Sequence, residues 1–293
     1  MMTATARAET LTSGDHSRTL MFGDKQRSYL VHVPKGHDPE KPTPVILALH
    51  GAMMNGALMA LFCGLSETSE QAGFIVVYPS GTGIGPFLTW NAGGLQGRIA
   101  EGRPDDVAFI GKVLDDLATT VKVDTNRVYA CGMSNGAMMC YRLAAELSDR
   151  IAAIAPVAGT IAIDESKPKR PVSVIHFHGT KDPLVPFDAG NSNMPSFMKL
   201  KGVEESVQTW VKLDGCNSKP TNDTLSNDGD QTKVTRQTYG GGKGGNEVVL
   251  ITIEGGGHTW PGMDMMFGLL GKSALNISAN DLIWQFFEKH TLE

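Results

Sequence analysis

The sequence predicts an α/β fold with a mostly parallel central sheet covered by helices on both faces. Short, nearly continuous apolar runs recur at residues 45–49, 74–78, 151–157 and 172–177, as strands buried on both faces require. Segments with helical spacing of apolar residues lie between them. The two kinds of segment alternate along the chain, which is the order that builds a parallel sheet. With 41% hydrophobic and 19% charged residues among 293, the chain can bury a large core. No internal repeat is visible. Residues 1–20 read as a flexible N-terminal segment and 21–293 as one catalytic-size domain.

Residues 28–33 alternate apolar and polar side chains and read as an early, half-exposed strand. Pro42 and Pro44 precede Val45-Ile46-Leu47-Ala48-Leu49, a buried strand that runs into His50-Gly51-Ala52. A helix is expected over 57–72, stopping at Gly73, and a strand over 74–78, closed by Pro79. Residues 80–104 have much glycine and little periodicity, including Trp90-Asn91-Ala92-Gly93-Gly94, and so long a loop in a compact domain is usually functional. Asp105 and Asp106 sit where a helix N-terminus favours acid, followed by Val107, Ile110, Val113, Leu114 and Leu117 at helical spacing. Later elements are a helix over 203–213, strands over 233–239 and 248–253, and a terminal helix opened by Ser278 with Ile283, Trp284, Phe286 and Phe287 on its apolar face.

The net charge of −5 and pI near 5.9 come with no basic patch, which argues against nucleic acid. No apolar run approaches the ~20 residues that span a bilayer. Cys63, Cys131, Cys140 and Cys216 lack the C-x-x-C or Cys/His spacing of a metal site, so no metal is expected. Residues 1–12 have no apolar core of a signal peptide, although Ala6-Arg7-Ala8 has the form of the end of one.

The chemistry centres on Gly132-Met133-Ser134-Asn135-Gly136, a G-x-S-x-G pattern between the apolar run 128–131 and a helix-like run 137–147. A nucleophile elbow is such a turn, so tight that only small neighbours of the serine avoid collision. Glycine makes up 34 of the 293 residues, so the five letters alone could arise by chance; the strand–turn–helix setting is what singles them out. A nucleophilic Ser134 needs a base and a group to orient the base, and on such elbows the acid and then the histidine follow in the chain. His176, His178, His258 and His290 lie beyond Ser134. His290 ends an amphipathic helix, His176 falls within a buried strand, and His178 suits a structural hydrogen bond. His258, on a glycine-rich loop after the last strand, is the expected base. Asp182 is the expected acid, with Asp188 the alternative and an Asx turn the competing role for Asp182. The amides of Asn135 and Ala52 are the expected oxyanion donors.

The chain resembles the polyhydroxybutyrate-depolymerase-type esterases, the family grouped with feruloyl and acetylxylan esterases. The resemblance rests on Leu49-His50-Gly51, Trp90-Asn91-Ala92-Gly93-Gly94, Asp105-Asp106-Val107-Ala108-Phe109-Ile110, and Arg127-Val128-Tyr129 leading into the elbow. It continues through His178-Gly179-Thr180-Lys181-Asp182, Gly255-Gly256-Gly257-His258-Thr259-Trp260-Pro261-Gly262 and Ile283-Trp284-Gln285-Phe286-Phe287. It implies an α/β-hydrolase fold, a serine carboxylic-ester hydrolase without cofactor, and Ser134, Asp182 and His258 as its triad. Export to the periplasm or medium is also implied, with the cytoplasm as the alternative. Relatives often pair a cysteine near Cys216 with one in the glycine stretch after Tyr239; this chain has Gly240-Gly241-Gly242-Lys243 there, so Cys216 is expected to be unpaired.

Trp90 and Trp260 either border the substrate or are ordinary core aromatics. Residues 263–270, which include Met265, Met266 and Phe267, read equally as a helix docked on the core or as an apolar wall for an acyl or aromatic group. The expected substrates are hydroxyalkanoate oligomers, feruloyl or acetyl esters, or small aromatic esters. A serine peptidase or thioesterase on the same fold, or an inactive polymer-binding relative, are the rival readings.

Overall fold

A computed structural model describes residues 10–95, 98, 101–188, 200–226, 232–264 and 270–292. Its strands are β1 (Gly14–Phe22), β2 (Lys25–Val33), β3 (Thr43–Leu49), β4 (Ile75–Pro79), β5 (Thr82–Ile84), β6 (Phe87–Thr89), β7 (Val123–Met133), β8 (Ala153–Val157), β9 (Ser173–Gly179), β10 (Thr221–Ser226), β11 (Lys233–Tyr239) and β12 (Val248–Glu254). Its helices are α1 (Gly56–Cys63), α2 (Leu65–Ala72), α3 (Asp106–Leu117), α4 (Asn135–Glu146), α5 (Val203–Asp214) and α6 (Ala279–Phe287).

Ten strands form one sheet in the order β1-β2-β4-β3-β7-β8-β9-β12-β11-β10. The central run from β4 to β12 is parallel. Antiparallel hairpins close both edges. The continuous apolar runs are the parallel strands, and the sheet sorts their side chains by alternation. Val45, Leu47 and Leu49 of β3 join the core under α3, α4 and α5. Ile46 and Ala48 join the opposite core with α1, α2 and α6.

Three sequence expectations change. The flexible segment expected over 1–20 does not hold for its second half, where Gly14–Phe22 pairs with β2 across a turn at Gly23-Asp24. Its residues alternate half-buried and exposed on the sheet edge, so no apolar run marks it. The helix expected over 57–72 is two helices, broken at Gly64, whose φ of 63° suits glycine. The long loop 80–104 contains the β5–β6 hairpin. That loop is fastened by Asp106, whose buried carboxylate accepts from the Asn91 N–H at 2.7 Å and pairs with Arg27 Nη1 at 2.7 Å. Asp105 supplies the cap of α3, accepting from the Ala108 N–H at 3.0 Å.

The four cysteines are free, and Cys63, Cys131 and Cys140 are buried. An ideal Cβ on Gly242 would lie 2.9 Å from Cys216 Sγ, so the glycine stretch faces the thiol without offering a partner. Where β7 enters α4, a Cβ on Gly136 would overlap the Leu49 carbonyl, and one on Gly132 would lie 2.7 Å from the Gly136 carbonyl carbon. Two outcomes follow. Thiol titration of the denatured, unreduced protein is expected to count four thiols, and a lower count would mean a disulfide. Gly136→Ala is expected to lower stability by about 3 kcal/mol or more, read as a lower midpoint in chemical denaturation.

Candidate active site

Ser134 caps α4 at the end of β7 with φ 57° and ψ −116°. A non-glycine residue at positive φ is strained and persists only where its surroundings hold it. Here the Ser134 N–H donates to the Val157 carbonyl at 2.9 Å, and its own carbonyl accepts from the Met138 N–H at 3.0 Å. Gly159, which the sequence pattern did not single out, completes the grip, because a Cβ there would overlap the Ser134 carbonyl. The first turn of α4 leaves its N–H groups free for developing negative charge.

Asp182 follows β9, separated from β7 by β8, and His258 follows β12, which pairs with β9. All three residues therefore gather beyond the C-terminal ends of parallel strands. Asp182 and His258 are buried. Asp182 Oδ1 accepts from the N–H groups of Leu184 and Val185, each at 2.8 Å. Its Oδ2 accepts from His258 Nδ1 at 2.7 Å. That donation leaves His258 Nε2 bare in the neutral ring and available as a base. The His258 loop is held by its own N–H, which donates to the Leu270 carbonyl at 2.6 Å, and by the Gly257 N–H to Lys272 at 2.8 Å. Gly179 allows the close approach: a Cβ there would be 2.5 Å from the Gly257 carbonyl oxygen. Asp188 is exposed.

Asn135 is the first residue of α4, so its N–H has no intrahelical partner. Its side chain is committed elsewhere, Oδ1 accepting from Thr89 Oγ1 at 2.9 Å and from the Trp90 N–H at 2.7 Å. Ala52 is exposed, and its N–H makes no hydrogen bond among the described residues. The next amide, Met53, is taken by the Leu88 carbonyl at 2.8 Å. His50 braces this loop as the sequence suggested. Its Nδ1 donates to the Gly51 carbonyl at 2.7 Å, and its Nε2 accepts from the Gly81 N–H at 2.9 Å. Burial pushes the His50 pKa down to about 4, which keeps that pattern of one donor and one acceptor.

Trp90 and Trp260 are 1% and 0% exposed and present no surface to a substrate, so the bordering role is replaced by a bracing one. The Trp90 indole N–H donates to the His50 carbonyl at 3.0 Å, with the rings 4.8 Å apart. The Trp260 indole N–H donates to Asn280 Oδ1 at 2.9 Å, and Asn280 Nδ2 donates to the Cys63 carbonyl at 2.8 Å. Met265, Met266 and Phe267 lie outside the described residues.

The sequence reading missed a different apolar group. An ideal Cβ on Gly51 would lie 3.6 Å from both Met54 Sδ and Ser134 Cβ, so the Met54 thioether flanks the serine. Met53, at φ 65°, is 63% exposed. Met54 pairs with Leu88 of the β5–β6 hairpin, whose Ile84 and Phe87 are 88% and 56% exposed. Two methionines directly after a His-Gly-Ala loop were the available signal. Among the described residues, no cluster of three or more His, Cys, Asp or Glu side chains is arranged to hold a metal ion.

Residues 98–211 match the family described as Phospholipase/Carboxylesterase. NocK of Nocardia uniformis subsp. tsuyamanensis, a protein named as an esterase, is 33% identical over 263 residues, covering 84% of this chain and 74% of NocK. Feruloyl esterase B of Piromyces equi is 29% identical over 240 residues, covering 79% of this chain and 42% of that protein. The bifunctional acetylxylan esterase/xylanase XynS20E of Neocallimastix patriciarum is 26% identical over 249 residues, covering 85% and 33%; the chain spans less than half the length of these last two. The solved acetyl xylan esterase from Aspergillus awamori superposes with a TM-score of 0.65 at 18% identity, covering 93% of this chain and 99% of that one, a likeness of fold. The chain belongs to the esterase family of NocK, on an α/β-hydrolase fold.

Proposed function

We propose that the protein hydrolyses carboxylic esters through a covalent acyl-serine intermediate, with Ser134 as nucleophile, His258 as base and Asp182 as the acid that orients it. The observation that carries this reading is the buried 2.7 Å bond from His258 Nδ1 to Asp182, on loops that leave the same end of the parallel sheet as a serine held at φ 57°. Ser134 Oγ attacks the ester carbonyl carbon while His258 Nε2 takes its proton. The N–H groups of Asn135 and Ala52 receive the oxyanion, and fixed donors of this kind supply a large part of the rate in acyl transfer. Collapse of the tetrahedral species expels the alcohol, which takes the proton back from His258. Water then repeats the sequence on the acyl-enzyme and frees the acid.

The substrate class follows from the surface beside Ser134. Met54 meets the same glycine, Gly51, as Ser134 does, and its bridge to Leu88 leads into a hairpin with exposed Ile84 and Phe87. We read these residues, with Met53, as an apolar rim of the site, suited to an aromatic acyl group or the short alkyl chain of a hydroxyalkanoate oligomer. Burying CH₂ groups against such a rim contributes about 0.8 kcal/mol each. Feruloyl and acetyl esters of polysaccharide remain within this class, since the names of the relatives point to them.

Ser134→Ala and His258→Ala are each expected to lower kcat by up to roughly a millionfold, and Asp182→Asn by about ten-thousandfold, with the melting temperature kept. Asp188→Asn costing more than Asp182→Asn would contradict the choice of acid. The apolar rim is tested by the double variant Ile84→Ser, Phe87→Ser, assayed on p-nitrophenyl esters. Because both side chains are exposed, stability is expected to stay within about 0.5 kcal/mol, while kcat/KM for butyrate or aromatic acyl esters falls roughly tenfold relative to acetate. An equal loss on every ester would remove the rim from the account.

A further inference from the structure

Two buried histidines take no part in the acyl-transfer steps. His176 and His178 stand two residues apart on β9, fully enclosed, on the same side of the strand. Their rings are parallel to within 4°, with centroids 5.3 Å apart. His176 Nε2 is 3.1 Å from His178 Nδ1. On the outer side, the Tyr141 hydroxyl of α4 lies 2.8 Å from His176 Nδ1. On the inner side, His178 Nε2 lies 2.8 Å from the Val185 carbonyl oxygen and 3.5 Å from Asp182 Oδ2.

The protons along this chain have one arrangement. A carbonyl oxygen only accepts, so His178 Nε2 carries the hydrogen. Burial lowers the pKa of His178, against the pull of the Asp182 charge, and the ring is neutral with Nδ1 bare. His176 Nε2 must then donate to it. Burial holds His176 well below the usual histidine range, so its Nδ1 is bare in turn and the Tyr141 hydroxyl donates. Every hydrogen points from α4 toward the turn 182–185, the last one onto the Val185 carbonyl. Val185 is gripped on both sides, its N–H donating to Asp182 Oδ1 at 2.8 Å and its carbonyl accepting from His178.

We infer that His178 is a positioning residue for Asp182, locked as the Nε2–H tautomer by His176 and Tyr141. It anchors the turn 182–185 through Val185. It also holds an N–H 3.5 Å from Oδ2, the oxygen that His258 uses. That N–H dipole faces the carboxylate beside the oxygen that pairs with His258. The titratable groups facing His178 are Asp182 from the loop after β9, His258 from the loop after β12, and His176 from β9 with Tyr141 behind it. The Phe187 ring packs edge-on at 5.9 Å. The inference rests on Asp182 being the acid.

His178→Leu removes that N–H dipole from the carboxylate, so the pull of the Asp182 charge on a protonated His258 is less offset. The acid limb of kcat/KM is therefore expected to move to higher pH by roughly half a unit. On p-nitrophenyl acetate, kcat is expected to fall about tenfold to a hundredfold with KM little changed. His178→Gln, whose amide can still donate to Val185, is expected to recover most of kcat. An unmoved acid limb, or a Gln variant no better than Leu, overturns the inference. The unaltered protein gives an independent reading by nitrogen NMR of labelled histidine. His176 and His178 are expected as Nε2–H tautomers that do not titrate across roughly pH 5 to pH 8, with His258 as the Nδ1–H tautomer. An Nδ1–H form or a titrating ring at 176 or 178 overturns it. Ser134→Ala, assayed beside these, separates the two claims. If it stays active, the serine reading fails while the histidine tautomers still decide this one. If it is inactive and His178→Leu keeps the native pH profile, the positioning role alone fails.

Discussion

The space where a side chain would begin at Gly136 is filled by the backbone of the neighbouring strand. A Cβ there would overlap the Leu49 carbonyl and lie 2.6 Å from that of His50. This approach presses the first turn of α4 onto the end of β3, and much of the site depends on it. It sets the Asn135 amide and the loop from His50 to Met54 beside one another. His50 and Trp90 then secure that loop from behind, and Asn135 ties its side chain to Trp90. The same glycine that permits the strained serine thus also builds the proposed oxyanion pair.

The proposed acid and base come from the other half of the sheet, where the constraint is hydrogen bonding rather than close packing. Asp182 is buried, and a buried carboxylate is tolerable only when its oxygens are satisfied. Leu184 and Val185 satisfy one oxygen, while His258 takes the other. The His176–His178 chain adds a second tier beneath the turn, so the acid is fixed from the strand side as well as from the loop. Trp260 and Asn280 fix the far end of the His258 loop to α1 and α6.

Much of this was legible in the sequence because the signals were local. The parallel strands announced themselves as apolar runs, and the residues proposed as the triad, Ser134, Asp182 and His258, follow three of those strands. What was not legible depended on contacts between distant segments. β1 shows only an alternation of half-buried and exposed residues because it lies on an edge. The burial of Trp90 and Trp260 follows from hydrogen bonds to His50 and Asn280, which lie 40 and 20 residues away. Gly159 matters only because Ser134 is folded against it. Met53 and Met54 gain their place beside the serine from pairing with Leu88.

The central claim is that Ser134 is the group made nucleophilic by His258 and Asp182. The most direct measurement is labelling of the native protein with a fluorophosphonate, followed by intact mass and peptide mapping. One adduct per chain, on Ser134, is expected, with labelling greatly slowed in His258→Ala. No adduct, or an adduct on another residue with Ser134 unmodified, would contradict the account.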